Sequence, residues 1–226
     1  MKILITSVGS LVGQNILEVL NYSRDYFDVI GVNSVAKAAI YECDRAYLTG
    51  QSEKPPSEYA ERLLEIINEE NPDLVIPARD IDITILAILQ EKYPEYRGKF
   101  LCGTAELAVM MEDKWLSYQF AEKNNLPFAK SAIPDPDSGH KAVKELVKQY
   151  GYPLVMKPRS GFASRKVRFI TNDDQLEKAL QADHVVFEEY LGNAQKVKQL
   201  NDRIETCGTP LYYSLEEHKY SLQTLI

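Results

Sequence analysis

Apolar positions in the first hundred residues follow two alternating patterns. Ile3, Leu4 and Ile5 form a short unbroken run that enters Ser7-Val-Gly-Ser-Leu-Val-Gly13, after which Ile16, Leu17, Val19 and Leu20 carry the spacing of an amphipathic helix. Phe27 to Val32 repeats the strand signal, Leu63, Ile66 and Ile67 mark a helix, and Leu74-Val-Ile-Pro77 reads as a buried strand. A helix over Ile81 to Leu89 and a short strand at Phe100-Leu-Cys102 complete the series. Strands alternating with helices predict a parallel, doubly wound α/β sheet over residues 1–112. Residues 103–113 read as a junction.

The second half is patterned differently. Asp113 is placed as the N-cap of a helix with Leu116 and Phe120 at i, i+4 spacing, which puts Lys114 in the first turn, where the helix dipole disfavours a cation. Ser131 to Gly139 is rich in Pro, Asp and Ser and reads as a turn-rich connection. A helix with Ala142, Val143, Leu146 and Val147 follows. Gly151 to Ile170 then predicts a hairpin, Leu154 to Lys157 as one arm and Val167 to Ile170 as the other. Asn172 caps a further helix, and Val185-Val-Phe187 is a buried strand ending in Glu188-Glu-Tyr-Leu191.

The hairpin is the stretch that carries chemistry. Period-two alternation puts Lys157 on the face of Val155, opposite Leu154 and Met156, so an ammonium occupies a position where a half-buried sheet expects an apolar side chain. It calls for an anionic partner. The loop between the arms holds Arg159, Ser160, Gly161, Ala163, Ser164 and Arg165, small and cationic residues able to bring backbone N–H groups and positive charge to an anion. A surface hairpin with a snorkelling lysine gives the same pattern.

Composition narrows the choice of ligand. The 226 residues carry a formal charge of −7 and 45% hydrophobic residues, which fits a globular protein and argues against a nucleic-acid binder. An anionic ligand therefore depends on local cations. Cys43, Cys102 and Cys207 show neither even pairing nor metal-ligand spacing, and no long apolar run or signal segment is present, so a cytoplasmic protein with no membrane partner is expected. His140, His184 and His218 are scattered.

Two places in the first half invite a ligand. Gly9 and Gly13 lack the Gly-x-Gly-x-x-Gly pattern, and Asn33 stands where a dinucleotide site needs an acid, so an NAD site is disfavoured and the glycines suit a turn with close helix packing. Arg79, Asp80 and Asp82 follow the Leu74 strand directly, at the carboxyl end of the sheet, where open α/β folds bind ligands. Asp80 suits a helix N-cap or a substrate contact, and Asp82 suits the first turn.

Taken together, Met1-Lys-Ile-Leu-Ile-Thr-Ser-Val-Gly9, Pro77 to Asp82, Asp113-Lys114, Gly151-Tyr-Pro-Leu-Val-Met-Lys-Pro-Arg-Ser-Gly161 and Phe187-Glu-Glu-Tyr-Leu191 resemble the ATP-grasp superfamily, in particular proteins similar to the carbamoyl-phosphate synthase large subunit. The resemblance covers residues 1 to about 191. It implies a parallel Rossmann-like pre-ATP-grasp domain (1–112), the α+β first lobe of an ATP-grasp domain (113–191), and a hinge with the start of an incomplete second lobe (192–226). By that resemblance Lys114 and Lys157 contact ATP phosphates, and Arg159 meets a phosphate or acyl-phosphate. Ser160, Gly161, Ala163 and Ser164 belong to the mobile flap, and Glu188, Glu189, Tyr190 and Leu191 border adenine and ribose. Gly9, Arg79, Asp80 and Asp82 are candidates for substrate.

The implied cofactors are ATP and Mg²⁺, the magnesium ligands falling outside this chain, and the implied substrates are a small carboxylate and an amine or ammonia. No residue is assigned a catalytic step or a metal. Ala163 and Lys166 stand where the family favours glycine, which stiffens the flap. Val197, Leu200 and Ile204 suggest a short helix, and His218 to Ile226 a strand with Gln223 where the family prefers Asp. The expected activity is an ATP-dependent carboxylate–amine ligation through an acyl-phosphate, needing residues beyond this chain. The alternative is a non-catalytic nucleotide- or metabolite-binding module of the same fold.

Overall fold

The computed structural model describes residues 1–50, 56–161 and 166–207. The chain divides into two compact units, Met1–Glu112 and Asp113–Ile226. In the first, β1 (Lys2–Ile5), α1 (Leu11–Asn21), β2 (Asp28–Asn33), β3 (Arg45–Leu48), α2 (Pro56–Glu70), β4 (Leu74–Ile76), α3 (Asp80–Lys92) and α4 (Ala105–Glu112) follow one another. The four strands form a wholly parallel sheet in the order β3-β2-β1-β4.

The unbroken apolar run of β1 has a simple cause. Side chains alternate between faces, and both faces are covered. Leu4 packs with Ile30, Val32 and Val75 against Tyr59, Leu63, Ile66 and Ile67 of α2 and Leu86 of α3. Ile3 and Ile5 pack on the other side with Val29 and with Leu17 of α1.

The amino ends of the strands are tied together by charge. Glu70, at the end of α2 and only 7% exposed, accepts from Arg45 Nε at 2.8 Å, Tyr47 OH at 2.5 Å and Lys2 Nζ at 3.5 Å. Arg45 also reaches Asp28 at 2.7 Å, and the Lys2 amide donates to Asp73 at 2.7 Å. Burial pushes the Glu70 carboxyl upward, but its bonds from Arg45 and Tyr47 outweigh that and hold it below the usual carboxylate range.

Three features depart from the sequence reading. The edge strand β3 is added, its Arg45 and Ala46 exposed, so no apolar run marks it. The stretch read as a junction over 103–113 is mostly the helix α4. The expected strand at Phe100–Cys102 shrinks to one bridge between Val75 and Phe100, because the Cys102 amide turns back onto the Phe100 carbonyl at 2.9 Å.

The second unit contains α5 (Lys114–Lys123), β5 (Ser131–Ala132), α6 (Lys141–Tyr150), β6 (Leu154–Pro158), β7 (Arg168–Ile170), α7 (Asp173–Ala179), β8 (Val185–Glu189) and α8 (Ala194–Cys207). Its sheet is antiparallel in the order β5-β8-β6-β7, with β6 and β7 as the expected hairpin. The sequence missed β5, a two-residue strand that starts the Pro- and Asp-rich connection. Leu154 and Met156 of β6, with Val185 and Phe187 of β8, pack under Val143 and Leu146 of α6 and Leu176 of α7. The Asn172 side chain caps α7, accepting from the Gln175 amide at 2.9 Å. The expected strand at His218–Ile226, with Gln223, lies outside the described residues.

Gly13 is fixed by a close approach. The Ser10 hydroxyl caps α1 by accepting from the Gly13 amide at 3.0 Å, and a Cβ at Gly13 would sit 2.5 Å from the Val8 carbonyl oxygen. That contact is backbone and cannot move aside cheaply. Gly13→Ala should therefore lower stability by about 1–3 kcal/mol, the cost of overpacking a tight site, read as a lower urea midpoint at unchanged slope. An unchanged midpoint would show that α1 can shift away from β1 freely.

Candidate functional site

Lys157 lies on the face of β6 opposite its core side chains, as alternation requires, and β6 pairs with β8 so that Lys157 is level with Val186. Glu188 is two residues along β8 on the same face, and its carboxylate is ion-paired with the Lys157 ammonium. Glu188 is 6% exposed and the Lys157 side chain 30%. The anionic partner that the sequence demanded for Lys157 is thus inside the fold. The acidic pair also does not follow the strand, as the sequence suggested, but lies within it. The Glu189 carboxylate accepts from the Lys130 amide at 2.8 Å while its own amide donates to the Lys130 carbonyl at 2.9 Å. Tyr190 meets the ring of Phe169 edge-on, and Leu191 is 75% exposed.

A second charged junction sits beyond the end of β6. Asp113 caps α5, its Oδ1 accepting from the Trp115 and Leu116 amides at 2.8 and 3.3 Å. The same carboxylate takes the Arg159 guanidinium in a forked arrangement, Nε at 3.0 Å and Nη2 at 2.5 Å from Oδ2. Lys114 donates its amide to the Arg159 carbonyl at 2.9 Å, and its ammonium reaches the carbonyls of Arg159 and Gly161 at 3.4 and 3.3 Å. The cation that the dipole disfavours in the first turn of α5 is offset by carbonyl oxygens. Ser160 and Gly161 are exposed at the root of the loop, and Ala163 and Ser164 lie outside the described residues.

The residues expected to contact substrate are gathered in the first unit, where the topology switches direction between β1 and β4. Asp82 is fully buried, accepting from Thr6 Oγ1 at 2.8 Å and Tyr59 OH at 2.9 Å, with Arg79 Nη2 3.5 Å away. Burial and the Asp82 charge push the Tyr59 hydroxyl far above its usual range. Arg79 also donates to Ser7 Oγ at 2.8 Å. Ser7 has φ +48, a left-handed conformation uncommon for serine, at the turn where β1 ends. Gly9 donates its amide to Asn33 Oδ1 at 3.1 Å. Asn33, whose type excluded a ribose acid, thus braces this turn.

Two sequence expectations change. The N-cap of α3 is Arg79, in extended backbone, and Asp80 is the first helical residue, so Asp80 is an exposed first-turn acid rather than the cap. Asp82 is in the first turn as expected, but it is enclosed, and its acceptor capacity goes to Thr6, Tyr59 and Arg79. Its contact with Arg79 helps to hold that guanidinium.

Residues 3–97 match the family model described as "PylC-like, N-terminal domain". The chain is 26% identical over 160 residues to pyruvate carboxylase from Staphylococcus aureus, a match covering 69% of this chain and 14% of that protein. Among solved structures, the biotin carboxylase domain of Hydrogenobacter thermophilus 2-oxoglutarate carboxylase is similar with a TM-score of 0.57 and 17% identity, over 92% of this chain and 42% of that one. An L-amino acid ligase from Bacillus licheniformis gives a TM-score of 0.62 and 14% identity, over 85% and 44%. The chain thus spans less than half the length of each of these proteins. The matches support the ATP-grasp superfamily, and the fold is a Rossmann-like pre-ATP-grasp domain followed by part of an ATP-grasp domain.

The Asp113 carboxyl is pushed upward by burial, but the Arg159 guanidinium and the Trp115 and Leu116 amides outweigh this and hold it below its ordinary value of 3.8. A group whose pKa is lowered on folding contributes stability that is complete above its unfolded pKa and is lost as pH falls through the folded one. The stability gap between wild type and Asp113→Ala should therefore be full from about pH 5 upward and narrow below about pH 4. Urea denaturation across that range measures it, and a gap independent of pH would assign the loss to the side chain's packing.

Proposed function

We propose that the 113–191 region binds ATP and that the whole protein is an ATP-dependent carboxylate–amine or ammonia ligase, related in mechanism to the carbamoyl-phosphate synthase large subunit and working through an acyl-phosphate. The observation that carries this is the grouping of Lys157, Lys114 and Arg159 within one unit, on one strand end and one helix start, in an otherwise acidic protein. The solved neighbours include a complex with MgADP and bicarbonate and an L-amino acid ligase, which fits an acid activated by ATP.

The residues present suit a nucleotide triphosphate. Lys157 on the sheet face and Lys114 at the root of the loop would take the phosphates, and the edge of β8 from Glu188 to Leu191 would offer backbone groups to the base. ATP itself supplies the phosphoryl group that activates the carboxylate. The work of this chain is to hold that group in place and to offset its charge. Among the described residues no three His, Cys, Asp or Glu side chains converge to hold a metal ion, so no step is assigned to protein-bound magnesium. Mg²⁺ belongs to the proposal as the counter-ion of the phosphates. Arg79, braced by Asp82 and Ser7, is the candidate group for the substrate carboxylate. A cytoplasmic setting is part of the same reading, and none of the described helices is long and apolar enough to cross a membrane.

A second reading, a binding module without turnover, is favoured by one observation: Lys157 and Arg159 are already matched to the carboxylates of Glu188 and Asp113. Release of ADP in the presence of a panel of amino acids and small acids separates the two, since a binding module gives none above background.

Lys157→Ala should weaken Mg-ATP binding at least tenfold, the equivalent of about 1.4 kcal/mol, in isothermal titration against wild type. Equal affinity in the two proteins would remove Lys157 from the site.

A further inference from the structure

We infer that Asp113 is a positioning residue for the phosphate end of the nucleotide site, fixing the Arg159 guanidinium at the root of the loop that begins at Ser160. This rests on the nucleotide reading above. Asp113 does two things at once. Its carboxylate caps α5 through the Trp115 and Leu116 amides, and it holds Arg159 by the forked contacts of Nε and Nη2. Capping uses Oδ1, whereas Nε and Nη2 of Arg159 both converge on Oδ2, so the two roles together need both oxygens, and the second needs the charge.

Arg159 is attached by its backbone as well. Its amide donates to the His184 carbonyl at 2.8 Å, just before β8, and its carbonyl accepts from the Lys114 amide at 2.9 Å. The Lys114 ammonium then bridges that carbonyl to the carbonyl of Gly161. The carboxylate thus joins the start of α5 to the Arg159 side chain just past β6, while the Arg159 backbone and the Lys114 ammonium extend the junction to the approach to β8 and the first residues of the loop. Lys157 is two residues upstream of Arg159 and Lys114 is adjacent to Asp113, so both lysines are carried on the backbone this junction fixes.

The direction of the effect follows from geometry. Arg159 borders a cavity of about 240 Å³ lined also by Pro134, Pro136, Asp183 and His184. Without the Asp113 charge, its guanidinium has space and another carboxylate close by to turn toward. The guanidinium would then be placed only on binding, and a side chain so ordered subtracts from affinity. Asp113 prepays that ordering.

Asparagine separates the two roles, because it caps a helix about as well as aspartate but cannot form the charged fork. Mg-ATP titration of the 226-residue chain should show binding by wild type and roughly tenfold weaker binding by Asp113→Asn, while the melting temperature falls by no more than about 4 °C. Asp113→Asn combined with Arg159→Gln should be no weaker than Arg159→Gln alone, the mark of a shared interaction. Should Asp113→Asn fail to fold, Arg159→Lys reads the same link, since lysine keeps the charge but not the fork, and an equal loss is expected. Wild-type affinity in either variant, or independent losses that multiply in the double variant, would overturn the positioning role and leave nucleotide binding standing. No binding by wild type would defeat the nucleotide reading and this inference with it.

Discussion

A charge drawn out of water must take a partner with it, and the antiparallel unit is built on that constraint. Glu188 is almost wholly enclosed on a β-strand, a position that would be prohibitive for a lone carboxylate. Lys157 makes it tolerable by lying diagonally across from it on the neighbouring strand, where Coulomb attraction and hydrogen bonding act together. The pair also fixes register. A slip of one residue between β6 and β8 would turn Lys157 inward toward Val185 and Phe187, away from Glu188, and carry Leu154 and Met156 out of the core. Any anion brought to Lys157 would therefore share or exchange a partner that the fold already provides.

The same economy explains what the sequence could and could not reveal. Lys157 stood out because period-two alternation is local, and a cation in an apolar pattern is visible within four residues. Its partner was not visible, because the pairing of β6 with β8 joins positions 31 apart and no local rule sets that register. The parallel sheet was legible from Ile3–Ile5, Val29–Val32 and Leu74–Ile76, since strands buried on both faces leave unbroken apolar runs. β3 escaped because an edge strand with Arg45 at its head has no such run, and α4 because Ala105–Glu112 is apolar almost all round and lacks the one-sided stripe of a surface helix. Asp113 was read correctly as a cap, but its bond to Arg159 spans 46 residues and appears only in three dimensions.

Within the parallel unit, the carboxyl ends of the strands gather groups that are difficult to place elsewhere. Thr6, Ser7, Tyr59, Arg79 and Asp82 share one hydrogen-bonded set beneath two helix starts, with Ser10 capping α1 and donating to the Ala78 carbonyl at 3.1 Å. Asp82 and Ser7 hold the Arg79 guanidinium within this set.

The clasp of Glu70 with Lys2, Arg45 and Tyr47 at the opposite ends of these strands shares no side chain with that set. A change at Arg79 or Gly9 therefore leaves intact the contacts that anchor the amino ends of the sheet, and the two poles of the frame answer separately to substitution.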